Sequence, residues 1–176
     1  PAGYYHQLLG GKNLDWIRCY AEGKFTFVQE GRPVWPEYDD ELMSGDTEVD
    51  PYFPVQIGVD FGLTPAAIFG QRTNAGGWRI LDELVTFDMG LERFGQELLG
   101  RIAERYSKRE ILIWGGDPAG NKRDEIYEVT AFDHLRSLGF KAQPTESNAF
   151  QVRREAGAAP MSRLIAGKPG LIVNKQ

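Results

Sequence analysis

The sequence predicts an α/β fold built on one mixed sheet. Three antiparallel strands come first, then parallel strands joined through helices, with helices on both faces of the sheet. Three observations predict it. Val55, Ile57, Val59 and Phe61 alternate with Gln56, Gly58 and Asp60, which is the period of a half-buried strand. Two further strand-like runs come next, through short glycine-bearing turns. After residue 90, apolar residues at helical spacing alternate with short apolar runs.

Each element is read in order. Tyr5, Leu8, Leu9, Ile17 and Tyr20 predict one or two short helices broken at Gly10-Gly11, and Phe25–Val28 reads as a strand before a turn at Glu30-Gly31. Asp39, Asp40, Glu41, Asp46, Glu48 and Asp50 form an acidic stretch ending at Pro51 and Pro54. It is expected as a solvated linker or arm, so residues 1–54 read as a connector and 55–176 as the domain. Within the domain, Val55–Phe61, Ala66–Gln71 and Trp78–Val85 are the three meander strands, turned at Gly62 to Pro65 and at Asn74-Ala75-Gly76-Gly77. Leu91, Phe94, Leu98 and Ile102 predict an amphipathic helix over about 90–107. Ile111–Trp114 is short and wholly apolar, as a buried parallel strand is. Ile126, Val129, Phe132, Leu135 and Leu138 mark a second helix closed by Gly139, and Phe140–Gln143 a fifth strand. Phe150 to Ala166 reads as a third helix kinked or broken at Pro160, opened by an Asn148/Gln151 capping pair and ended at Gly167. Leu171–Val173 is a last strand. This layout is that of the RNase H-like fold.

Composition narrows the class. The chain has 176 residues, 26% charged and 41% hydrophobic, which suits a globular domain with a real core. No apolar run reaches the roughly 18 residues of a membrane span, and no secretory signal opens the chain, so no membrane partner is expected. Beginning at Pro1 rather than Met, the chain is expected to be cut from a longer protein. The lone cysteine, Cys19, excludes an internal disulfide framework and fits a reducing compartment. The net charge of −5 conceals an asymmetry: residues 1–60 hold 4 basic and 11 acidic side chains, residues 61–140 hold 10 and 12, and residues 141–176 hold 6 and 2. Polyanion binding depends on the local face rather than the total, so the basic C-terminal part is compatible with a nucleic acid.

The chemistry-bearing candidates are acids at strand ends. Asp60 closes the first strand of the meander, with Gly58 leaving its own face uncrowded; it either projects into open space there or caps the turn toward Thr64. Asp117 comes after Ile111–Trp114 through Gly115-Gly116, and ligands of α/β sheets gather at the carboxyl ends of strands. With the two strands parallel neighbours, Asp60 and Asp117 would face one another about one strand spacing, ~4.8 Å, apart. Two carboxylates that close repel, and a divalent cation between them removes the penalty; oxygen ligands select Mg²⁺ or Mn²⁺. Glu83 is a third metal candidate at the end of Ile80-Leu81-Asp82-Glu83, although period-2 parity does not decide whether Asp82 or Glu83 faces the cleft. Lys122 and Arg123 beside Asp117, Arg153 and Arg154 at the start of the third helix, and Arg163 and Lys168 near its end would neutralise backbone phosphates, or else are solvated surface charges. His6 and His134 match no ligand spacing and are expected to be structural.

The ordered motifs resemble those of the large terminase subunit of tailed bacteriophages, specifically its C-terminal nuclease domain. Pro1–Tyr5, Asp15–Tyr20 and Gly23–Phe25 resemble the segment leaving its ATPase domain, and Gly31–Tyr38 the connector after it. Gly58-Val59-Asp60-Phe61-Gly62-Leu63-Thr64-Pro65 resembles the first nuclease motif and Gly116-Asp117-Pro118-Ala119-Gly120 the second, while Arg153–Ala156 with Pro160–Ile165 resembles the helix after it. The resemblance implies an RNase H-like endonuclease that cuts concatemeric viral double-stranded DNA during packaging by two-metal phosphodiester hydrolysis. Asp60 and Asp117 take the positions of the first two metal-binding acids, with Lys122, Arg153 and Arg154 as DNA contacts. The family's third acid lies on a later helix, so the domain is expected to be C-terminally incomplete and inactive alone unless Glu83 substitutes. The resemblance further implies the ATPase domain of the same protein, a portal and a small terminase subunit as partners, and the host cytoplasm as the location. No Walker-type Gly-Lys-Ser/Thr loop is present in the chain.

Other classes fit less of the chain. Asp60-Phe61-Gly62-Leu63-Thr64 also resembles the phosphate loop of sugar kinases and actin-like ATPases, which need a second lobe that 176 residues do not hold. Resolvases and transposases share the fold. A non-catalytic docking module of the packaging motor is the alternative outside enzymes.

Overall fold

The structure is a computed structural model that describes residues 33–62, 64–114 and 130–175. The elements expected within residues 1–32, and the segment carrying Asp117, Lys122 and Arg123, lie outside the described residues. The chain divides into two compact units, Pro1–Pro36 and Glu37–Gln176. The second unit holds the sheet.

It opens with a single helical turn, α1 (Asp40–Met43). Asp39 caps it, its carboxylate accepting from the N–H groups of Glu41 and Leu42 at 3.0 and 3.2 Å. Then come β1 (Ser44–Gly45), β2 (Val55–Asp60), β3 (Ala66–Arg72), β4 (Trp78–Val85), α2 (Leu91–Tyr106), β5 (Ile111–Trp114), α3 (Ala131–Ser137), β6 (Ala142–Gln143), α4 (Phe150–Met161), β7 (Leu164–Ile165), β8 (Lys168–Pro169) and β9 (Leu171–Asn174). One seven-stranded sheet has the order β1-β9-β4-β3-β2-β5-β6, and β7 and β8 form a separate hairpin. β2, β3 and β4 are antiparallel; β5, β6 and β9 join parallel to their neighbours. The meander and the parallel extension expected from the sequence are therefore both present.

One face of the sheet carries the core. Val55, Ile57 and Val59 of β2, Ala67 and Phe69 of β3 and Ile113 of β5 pack with Phe94, Leu98 and Tyr106 of α2 and Phe132 and Leu135 of α3. Each fully buried Phe, Leu or Ile contributes about 1.5–3 kcal/mol. The two helices meet closely at Gly95, where a Cβ would come within 2.5 Å of Leu138 Cδ1.

The structure refines the expected helices and turns. α3 starts at Ala131, where Thr130 and Asp133 form a reciprocal capping box: Thr130 Oγ1 accepts from Asp133 N–H at 3.0 Å, and Thr130 N–H donates to the Asp133 carboxylate at 3.3 Å; Ile126 and Val129 of the expected helix lie outside the described residues. The third helix ends at Met161, with Pro160 inside its last turn, and Ala149 rather than Asn148 is its N-cap, without a side-chain capping bond. Residues 164–169 are a tight hairpin, in which Ala166 and Gly167 both take positive φ (51° and 78°).

Residues 37–54 belong to the same compact unit as the sheet. β1 pairs with β9, and the wholly buried Gln71 fastens the preceding loop. Its amide donates to the carbonyls of Asp50 and Phe53 at 2.8 and 2.6 Å and accepts from Asp50 N–H at 2.8 Å. A buried amide costs free energy unless it is paired, so these bonds fix the acidic segment at that point.

Candidate active site

Asp60 ends β2, and its side is the uncovered one. Burial along the strand alternates, with Val55, Ile57 and Val59 inside and Asp60 exposed. Gly62 beyond it faces open space, since a Cβ there would meet nothing within 4 Å. Gly58 is not simply an absence of crowding: Ile68 of β3 leans over it, so that a Cβ would lie 3.3 Å from Ile68 Cγ2. Among the described residues, no basic side chain forms an ion pair with Asp60.

β5 lies beside β2 and parallel to it, with Val55 opposite Ile111 and Ile57 opposite Ile113. The carboxyl ends of these two neighbouring strands therefore point to the same end of the sheet. Asp117, three positions beyond Trp114 in sequence, lies outside the described residues, as does Lys122.

The register resolves the Asp82/Glu83 ambiguity. Phe69 pairs with Asp82 and Gly70 with Ile80, so Leu81 is an extra residue in β4. This bulge turns Leu81 and Asp82 both toward the covered face, where they are buried. Glu83 pairs with Ile68, which pairs with Gly58, and it therefore shares the face of Asp60. It is not beside Asp60, however. The pairing row of Asp60 runs through Ala66 to Val85, so Glu83 is two strands across and two residues along, about 12 Å away between Cα atoms. Among the described residues no group of three or more His, Cys, Asp or Glu side chains converges.

Asp82, weighed beside Glu83 from the sequence, is held in a structural ion-pair network that the sequence reading did not anticipate. Arg101 Nη1 donates to both of its oxygens at 3.2 and 3.0 Å, Arg105 Nη1 lies 3.1 Å from Oδ2, and Glu83 N–H donates to Oδ1 at 2.9 Å. The Arg101/Arg105 spacing of four, on one face of a helix, was the available signal. Tyr106 stacks on Phe69 with ring centroids 5.2 Å apart; burial first, then the Asp82 charge, push its phenol up to about 12. At the α3 cap, the Thr130 hydroxyl and then its N–H hold the Asp133 carboxyl below its ordinary range.

The basic candidates separate. Arg154 of α4 pairs with Glu37, while Arg153 is exposed. Arg163 and Lys168 belong to the turn and hairpin leading into β9. That strand starts level with Trp78, at the end of the sheet opposite Asp60. His134 lies at the α2–α3 contact, its Nε2 buried without a hydrogen-bond partner among the described residues.

The seven-stranded mixed sheet with its helices is an RNase H-like α/β fold. Solved structures with this fold to which the chain is similar include phage large terminases. The large terminase of a thermophilic bacteriophage superposes with a TM-score of 0.62 at 13% identity, over 81% of this chain and 34% of that one. The P22 large terminase nuclease domain superposes at 0.59 and 14% identity, over 83% of this chain and 73% of that one. The large terminase nuclease of thermophilic phage G20c, solved with bound cobalt, gives 0.50 and 15% identity, over 80% and 72%. This chain thus spans about a third of the first of these terminases and has the fold of a terminase nuclease domain. No family pattern matches the sequence, and no curated protein matches it.

Proposed function

We propose that this chain is the metal-dependent endonuclease domain of a phage packaging terminase, which cuts double-stranded DNA in the host cytoplasm during virus assembly. The observation that carries the reading is Asp60: an exposed carboxylate, without a basic partner among the described residues, at the carboxyl end of a central strand in the fold shared with terminase nucleases. Its donor chemistry fits a divalent cation such as Mg²⁺ or Mn²⁺, because hard cations take oxygen ligands and here no guanidinium competes. Asp60 and Asp117 would hold two ions, which supply water activation and charge stabilisation at the phosphate. The roughly 12 Å between Asp60 and Glu83 argues against Glu83 as their co-ligand. Lys122, Arg153 and Arg154 remain the proposed phosphate contacts, Arg154 only when it exchanges Glu37 for DNA. An ATPase domain of the same protein, a portal and a small terminase subunit complete the proposed assembly.

The test is Mn²⁺-dependent nicking of supercoiled plasmid by this sequence extended through the later helix that the resemblance implies, with Mn²⁺ binding measured by calorimetry. Asp60→Asn and Asp117→Asn should each abolish nicking and saturable Mn²⁺ binding while leaving the circular dichroism spectrum unchanged. Retention of both activities in either folded variant would overturn the proposal.

A further inference from the structure

We propose that this chain associates head to tail with a second copy of itself, the basic β7–β8 hairpin of one copy seating on the acidic, apolar end of the next copy's sheet, over Asp60. The inference goes beyond the nuclease reading and does not rest on it.

The receiving surface follows from the sheet register. On the face opposite the core, Asp60, Ala66 and Val85 form one row across β2, β3 and β4, and Gly58, Ile68 and Glu83 form the next. Ile68 and Val85 are diagonal neighbours, about 7–8 Å apart. They are 48% and 50% exposed, and Phe87, two residues beyond Val85, is 79% exposed. Contiguous apolar surface with a polar rim marks an interaction site. The rim here carries one sign of charge. Asp60, Glu83 and Asp88 are exposed, and among the described residues none of them forms an ion pair. Residues 56–68 and 83–92 contain no Lys or Arg. The surface therefore fits an occupant that joins apolar to basic side chains.

The same chain carries that chemistry at the other end of its sheet. Leu164 of the hairpin is 76% exposed, and Arg163 and Lys168 beside it in the same tight turn are exposed as well. Neither cation forms an ion pair among the described residues, and residues 156–176 contain no Asp or Glu. Arg72, exposed over the Trp78 ring, adds a third cation at this end. The hairpin is held in place: Gly170 N–H donates to the Arg163 carbonyl at 2.7 Å, and Trp78 N–H donates to the Gly170 carbonyl at 2.8 Å. A turn so fixed loses little conformational freedom when it docks.

The two surfaces cannot meet within one copy. Trp78 pairs with Arg72, and Arg72 is six residues along β3 from Ala66, so the surfaces lie about 20 Å apart at opposite ends of the sheet. Complementary surfaces at opposite ends of one chain make a heterologous contact, in which each copy uses its hairpin on one neighbour and its acidic end on another. The net charge of −5 does not prevent this. At physiological salt the screening length is about 8 Å, so the local pairs act while the repulsion of whole chains is damped. The consequence is specific: an incoming hairpin covers the Asp60 face, and an associated copy is closed to any other ligand there.

The experiment is sedimentation velocity of the full chain over a wide range of protein concentration, at low and at high salt. The wild type is expected to gain mass with concentration and to lose that gain in high salt. Glu83→Lys and Lys168→Glu should each weaken association about tenfold, and Phe87→Ser combined with Leu164→Ser should abolish it, with circular dichroism unchanged. An equimolar mixture of the Glu83→Lys and Lys168→Glu chains should regain association, because one keeps an intact hairpin and the other an intact acidic end. A wild type that stays monomeric at every concentration would overturn the proposal. So would association that either charge reversal leaves unchanged. A mixture no stronger than its parts would overturn it too, since that is the behaviour of a contact made by the same surface on both copies. Each of these outcomes is read from mass alone and leaves the nuclease reading to the nicking assay.

Discussion

Replacing Asp82 should be among the most damaging single changes in the sheet, although the residue is remote from the proposed chemistry. Its side chain is 1% exposed and lies within 3.1 Å of two guanidiniums, those of Arg101 and Arg105, which are 27% and 50% exposed. Removing one partner of a buried ion pair costs about 3–5 kcal/mol, because the remaining charge is stranded. Here both arginines reach water, so part of their hydration returns and the lower end applies. Asp82→Ala should therefore destabilise by about 3 kcal/mol. Arg105→Ala should cost about 1 kcal/mol or less, as half-exposed pairs do. Equilibrium urea unfolding, monitored by circular dichroism and tryptophan fluorescence with the m-value held in common, measures both. An Asp82→Ala loss below about 1 kcal/mol, or one no larger than that of Arg105→Ala, would refute the claim that the acid is the buried hub of this network.

Further outcomes are expected from the same core. The Tyr106 phenol, raised to about 12, keeps its proton in the folded chain at pH values where the unfolded phenol, with a pKa near 10, loses it. Its contribution, about 2–3 kcal/mol, is therefore complete below pH 10 and is lost as pH rises toward 12. Urea midpoints between pH 8 and 12 should fall more steeply for the wild type than for Tyr106→Phe, and parallel curves would contradict this. Gly170→Ala places a Cβ 2.5 Å from the Pro160 carbonyl oxygen, a backbone atom that cannot swing aside, and should cost about 1–3 kcal/mol. Gly100→Ala, on the exposed side of α2 with nothing within 4 Å, should stabilise by about 0.5–1 kcal/mol. Thermal melts that give both substitutions the same sign would remove the packing argument.

What the sequence disclosed was local, and what it withheld was set by distant parts of the chain. β2 was legible because Val55 to Phe61 alternate, and α2 because Leu91, Phe94, Leu98 and Ile102 repeat at helical spacing. The short strand β1 was not, because Ser44-Gly45 joins the sheet through backbone pairing to β9, which no side-chain pattern records. The acidic run read as solvated because its charges are indeed mostly exposed; the tie that fixes it is one buried glutamine 21 residues beyond Asp50. The end of α4 was overrun because Leu164 and Ile165 continue an apolar pattern, while the Ala166-Gly167 turn that folds them back depends on two positive φ values. Asp60 was found because an acid closing an alternating strand is a local signal. The Arg154–Glu37 pair was missed because it spans 117 residues.

The two adjacent acids of β4 show why pattern alone could not complete the site. Strict alternation would send Leu81 to the covered face and Asp82 to the open one. The single bulge instead turns both inward, and Glu83 inherits the open face. Asp82 is then tolerable only because α2 supplies Arg101 and Arg105 four residues apart, so the bulge and the arginine pair require one another. A carboxylate held by two guanidiniums has little capacity left for a cation. Asp60 lies on the other face and in another pairing row, exposed and with no such partner among the described residues. The sheet thus separates an acid held by two guanidiniums from the exposed acid proposed above as a metal ligand, and the separation rests on the face each one occupies rather than on acidic density along the chain.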